Sequence, residues 1–113
     1  EMIFSSIYPL YLNRLEKNGR TKEELDKVIR WLTGYDQETL ASYVNGDGTF
    51  RDFFEGAKMH QNAHMIKGVV CGYRIENISE EFAVYRDCRR MEKLIDELAK
   101  GRKMEKILRE EKK

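Results

Sequence analysis

The fold turns on residues 21–34, TKEELDKVIRWLTG. Thr21 followed three residues later by Glu24 forms a capping box, in which each side chain satisfies a first-turn amide that has no partner inside a helix. Leu25, Val28, Ile29 and Leu32 then recur at i, i+3, i+4 and i+7, the spacing of one buried helical stripe. Gly34 supplies a left-handed stop. The segment predicts a helix from Thr21 to Thr33, and its rhythm guides the reading on either side.

Upstream, Tyr8, Tyr11, Leu12 and Leu15 line one face of a helix predicted from Tyr8 to Lys17. Ser6 is its expected cap, and Pro9 falls in its expected first turn, where a missing N–H costs nothing. Downstream, Asp36 opens a shorter helix carrying Leu40, Tyr43 and Val44, closed by the loop Asn45-Gly46-Asp47-Gly48. Thr49 with Asp52 starts a brief aromatic turn bearing Phe50, Phe53 and Phe54. Ser79 is expected to cap a long helix from Glu80 to Lys100, on which Val84, Cys88, Met91, Ile95 and Leu98 step by four and three as in a coiled-coil seam. Gly101 breaks it, and Met104, Ile107 and Leu108 mark a last amphipathic helix.

Asn62 to Ile78 reads two ways. Ile66, Val69, Val70 and Tyr73 fit helical spacing, yet the valines and two glycines also suit a strand, and glycine inside a helix costs about 1 kcal/mol relative to alanine. A single strand would find no obvious partner elsewhere in the chain, so the segment is read as helix. Gly68 and Gly72 would then share one face, open to a tight helix crossing, a ligand or a second subunit. The resulting expectation is an all-α, compact single-domain bundle over residues 1–113, of about six helices with a short aromatic turn before the fifth. Leu25, Ile29, Trp31, Leu32, Val69, Tyr73, Cys88, Met91 and Ile95 are its expected interior.

At 113 residues the chain can bury a real core, and 41% hydrophobic against 36% charged residues places it outside the disordered class. A single proline leaves almost nothing to forbid helix. The 21 basic and 20 acidic side chains give a formal charge of +1, which removes the strongest reason to propose nucleic acid. Cys71 and Cys88, the two cysteines, lack close metal-type spacing and suit a reducing compartment. No apolar run approaches the roughly 20 residues of a membrane helix. The start lacks the pattern of a signal peptide, and opening at Glu1 rather than Met suggests that a few residues were trimmed. The expected location is the cytoplasm, with no membrane partner.

The sequence carries no recognisable catalytic, metal or cofactor motif. His60 and His64 lie four apart, but the expected cap at Asn62 falls between them and no third ligand is near in sequence. Reading the Gly48 loop as an EF-hand puts Tyr43 and Phe54 where carboxylates are required. Cys71, flanked by Val70 and Gly72, resembles a small core residue more than an activated thiol. The corner between the second and third helices brings Asp36 and Glu38 where a DNA-reading helix needs basic or amide side chains. From Gly101 to Lys113, six basic residues stand against Glu105, Glu110 and Glu111, interspersed as on a solvated helix.

The stretches IYPLYLNRLEKNGRTKEELDKVIRWLTGYD, DFFEGA, IKGVVCGYRIENI and DELAKGRKMEKILR together resemble the bacterial family known as domain of unknown function 2200. The resemblance runs along nearly the whole chain and implies a small cytoplasmic bacterial protein. It brings no catalytic residues, because the family has no assigned activity.

The functional expectation is therefore a non-catalytic interaction or ligand-binding module, a homodimer being one form of it. Its expected site residues are Gly68, Gly72, Tyr73 and Arg74, with the seam around Met91 as the dimer surface, and with no metal and no cofactor. Weak nucleic-acid binding through the basic C-terminal helix and an enzyme using Cys71 are the alternatives.

Overall fold

The computed structural model describes residues 2–70 and 72–108, with the side chain of Tyr73 also outside the description. Its helices are α1 (Phe4–Lys17), α2 (Lys22–Thr33), α3 (Gln37–Val44), α4 (Phe50–Glu55), α5 (Ala83–Ala99) and α6 (Met104–Ile107). An antiparallel pair, β1 (Val69–Val70) and β2 (Tyr73–Arg74), lies between α4 and α5. The expected all-α class holds.

α2 is built as its sequence dictates. The Thr21 side chain accepts from the Glu24 amide, the Glu24 carboxylate accepts from the Thr21 amide, and Leu25, Val28, Ile29 and Leu32 are completely buried. Gly34 closes it at φ +76°. The chain after α4 then crosses this end: the amides of Lys58 and His60 donate to the Thr33 and Leu32 carbonyls at 2.8 and 2.9 Å. Those carbonyls would otherwise end the helix unsatisfied. A Cβ on Gly34 would stand 2.8 Å from the Lys58 carbonyl oxygen. Gly34→Ala meets both this backbone clash and an unfavourable φ, and is expected to cost about 2 kcal/mol, read as a lower midpoint in urea.

α1 starts at Phe4, earlier than the expected Tyr8, and Pro9 sits inside the helix rather than in its first turn. The Ser6 cap therefore does not form; Ile3 is the capping residue, without a side-chain bond. Tertiary packing outweighs the one backbone hydrogen bond that Pro9 cannot make. Phe4 is completely buried and stacks on Phe53 with ring centroids 4.2 Å apart, a burial that contributes roughly 2 kcal/mol. Backbone bonds also pin this end: Phe4 N–H to the Gly48 carbonyl and Phe50 N–H to the Met2 carbonyl, both at 3.0 Å.

The expected helix from Asn62 to Ile78 is corrected. The segment holds a 3₁₀ turn (Ala63–Met65), the β1–β2 hairpin and a second 3₁₀ turn (Ile75–Asn77). Gly68 at φ +105° and Gly72 at φ +82° lie in the left-handed region, which no right-handed helix contains. The strand partner is supplied locally, Val70 opposite Tyr73 and Val69 opposite Arg74. Alternation follows the pleat: Val70 is buried and Val69 is half exposed, against the expectation that Val69 would be inside.

α5 is the central support, packing against α1, α2, α4, α6 and the hairpin. A 3₁₀ turn (Glu80–Phe82) precedes it, and Ser79 makes no side-chain cap bond, so the expected single helix from Glu80 begins in two steps. Met91, Ile95 and Leu98 of the predicted seam are buried, while Val84 and Cys88 are only partly so. α6 is short and is anchored by Ile107 and Leu108. Arg109, Lys112 and Lys113 of the proposed basic helix lie outside the described residues.

Candidate functional site

The expected glycine site does not assemble as a helix face. Gly68 precedes β1 instead and Gly72 lies in the turn between β1 and β2, where a Cβ would meet nothing within 4 Å. The Gly68 amide donates to the Glu76 carboxylate at 2.9 Å, and Arg74 pairs with the same residue at 3.5 Å. Arg74 is exposed beside the turn. Met91 has no exposed surface at all and faces the core, while Val84 and Cys88 of the same seam are only partly buried. Cys71 lies outside the described residues. His60 stacks on Trp31 at 4.1 Å between ring centroids, and its Nδ1 accepts from the Asn62 amide at 2.9 Å. No cluster of three or more metal-ligating side chains occurs among the described residues.

The structure does form a cleft that no single stretch of sequence announces. Its volume is about 580 Å³, within the range of small-molecule sites. One wall is α1, where Ile7 and Tyr11 fall a turn apart on one face. The second is the start of α4 at Phe50, held beside Met2 by the backbone bonds that pin the chain's beginning. The third is the 3₁₀ turn before α5 and the partly buried end of the seam at Val84 and Cys88. Met2 and Phe82, exposed by 60% and 58%, stand at the opening.

A hydrogen-bonded polar cluster interrupts the apolar lining, and Arg51, Glu80 and Glu81 add charge at its edge. The Tyr11 hydroxyl donates to Glu92 Oε2 at 3.0 Å, and Arg89 donates to Glu92 Oε1 at 2.5 Å. Arg89 also donates to the Tyr85 hydroxyl at 2.9 Å and lies over the Tyr85 ring, 4.6 Å from its centroid. Burial, followed by the Glu92 charge, pushes the Tyr11 phenol far above its ordinary range, so Tyr11 remains a donor at any physiological pH. Partial burial works against the charge on Arg89, but its bonds to Tyr85 and Glu92 outweigh that and hold the guanidinium ionised. The arrangement offers a largely apolar hollow with a fixed hydrogen-bonding cluster on one side.

No curated protein matches the sequence. The pattern of a bacterial family described as "uncharacterized protein conserved in bacteria" (DUF2200) matches residues 1–109. Among solved structures, the crystal structure of uncharacterized protein SP1917 superposes with a TM-score of 0.90 at 32% identity, covering 99% of this chain and 93% of that one. No helix among the described residues is long and apolar enough to cross a membrane.

Proposed function

The chain belongs to the DUF2200 family of uncharacterized proteins conserved in bacteria, and we propose that it is a non-catalytic ligand-binding module whose site is the cleft between α1, α4 and the start of α5. The observation that carries this reading is the combination of an apolar hollow of about 580 Å³ with a convergent Tyr11–Glu92–Arg89–Tyr85 cluster on one side. A hollow with apolar walls gives affinity by removing ligand surface from water, at roughly 25 cal/mol per Å². The fixed polar side orients what enters. Two thiols without metal-type spacing favour the cytoplasm as the place where it acts.

The test is an uncharged apolar dye such as Nile red, whose emission rises on leaving water. Saturable binding is expected, and Ala83→Trp, which places an indole in the cleft, is expected to weaken it at least about tenfold, equal to 1.4 kcal/mol. The melting temperature of the variant reports that it folds. Dye binding that ignores the indole would overturn the assignment of the cleft. A signal that follows protein concentration instead of dye would make a second copy of the chain the occupant.

A further inference from the structure

We infer that the cleft selects a small amphipathic cation, an amine or quaternary ammonium joined to an aromatic or alkyl body, with Glu81 as its counter-charge; the inference rests on the cleft being the binding site. Three carboxylates, Glu80, Glu81 and Glu92, face the cleft against two guanidinium groups, Arg51 and Arg89. Both cations are already engaged, Arg51 with Glu55 at 3.3 Å and Arg89 with Glu92 at 2.5 Å. Two of the three acids are spent as well. Glu92 holds Arg89 and Tyr11, and Glu80 accepts two bonds from Arg86, at 2.6 and 3.2 Å. Those bonds hold the Glu80 carboxyl below its usual range.

That leaves Glu81. It is exposed, and among the described residues it has neither an ion-pair nor a hydrogen-bond partner. It sits on the 3₁₀ turn beside Phe82, whose exposed ring forms part of the opening. A cation entering there meets a carboxylate and the negative faces of aromatic rings together, while its apolar body fills the hollow. The same cleft already shows this preference in miniature, where the Arg89 guanidinium lies over the Tyr85 ring. The start of α5 would by itself favour an anion, but Glu80 and Glu81 in its preceding turn answer that partial positive charge. A carboxylate-bearing ligand would meet two committed cations and one unpaired negative charge.

Three molecules of one shape separate the possibilities: 4-phenylbutylamine, 4-phenylbutanol and 4-phenylbutyrate, titrated into the ¹⁵N-labelled protein at neutral pH and low salt. Shifts are expected at the amides of residues 81–85, with the amine binding about fivefold tighter than the alcohol and the acid weakest. Glu81→Gln should bring the amine down to the alcohol's affinity, and raising the salt should do part of the same. If amine and alcohol bind the cleft equally, or if the acid binds best, the cation preference is wrong and the cleft stands. If none of the three moves the cleft amides, both the preference and the site are wrong.

Discussion

Phe53→Ala is expected to lower the stability of the protein by about 4 kcal/mol, the range for removing a fully buried phenylalanine. The Phe53 ring is completely buried and stacks on Phe4 at 4.2 Å; it also meets Tyr35, Tyr43 and Phe54 edge-on at 5.2, 5.1 and 5.0 Å. Those neighbours come from α1, from the α2–α3 connection, from α3 and from α4 itself, so one side chain is packed against four parts of the chain. Edge-to-face pairs add to the burial. Two of the neighbours are also held by other bonds, such as the Tyr35 hydroxyl to the Phe53 carbonyl at 2.6 Å, which limits how far the site can collapse to refill the cavity. Against a total stability of 5–15 kcal/mol, the loss should appear as a melting temperature lower by roughly 15 °C. Phe53→Leu, which keeps most of the volume, should recover more than half of it. A melting temperature within a few degrees of the parent for the alanine variant would mean that the aromatic cluster is not the joint it looks to be.

Most of what could be read without coordinates depends on near neighbours in the chain, although the Ser6 and Ser79 caps do not form. The Thr21–Glu24 box, the Gly34 cap, the Asp36 cap donating nothing but accepting from Thr39, and the Thr49–Asp52 box all form as their spacing requires. The hairpin escaped because each strand is two residues long, too short for alternation to show against the helical pattern of the same valines. Its signal was present in Gly68 and Gly72. Four-residue spacing suggested a shared helix face, whereas glycines there serve their other use, positive φ ahead of the first strand at Gly68 and within the reversal at Gly72.

The cleft was illegible for a different reason. Its walls come from residues 2–11, 50–51 and 80–92, and nothing local in any of the three says that they converge. Even so, the α5 seam carried a partial trace. Val84 and Cys88 obey the same spacing as Met91, Ile95 and Leu98, yet only the latter three are fully covered. A stripe that is uniformly apolar in sequence but unevenly buried in the fold marks where the core opens into the cleft. Periodicity reports which residues prefer to leave water; it does not report whether protein or a ligand covers them.

Asp26→Ala should be the second costly change, at about 3 kcal/mol. Asp26 is a buried carboxylate on α2 that accepts from the Tyr8 hydroxyl of α1, from Gln37 Nε2 of α3 at 3.1 Å and from Lys22 Nζ at 2.8 Å. The half-exposed Lys22 contributes little; most of the cost lies in leaving the buried Tyr8 hydroxyl without its acceptor. Tyr8→Phe in the Asp26→Ala background should therefore restore part of the stability, and the double-mutant cycle isolates the coupling between the two. The same pair gives an alkaline signature. Burial first, and then the bond to Asp26, raise the Tyr8 phenol above its usual value near 10. Above about pH 10 the unfolded chain loses this proton while the folded one keeps it, so the stabilisation is complete below that pH and declines as pH rises toward the folded value. Tyr11 and Tyr35, raised in the same direction, contribute to the parent's decline as well, and the informative quantity is the difference in slope. Removing Asp26 should flatten the fall in melting temperature at alkaline pH, since only burial and the Glu23 charge are left to hold the Tyr8 proton. Parallel curves for parent and variant would show that the carboxylate does not act on Tyr8, and its polar tie would then join α2 only to α3, through Gln37.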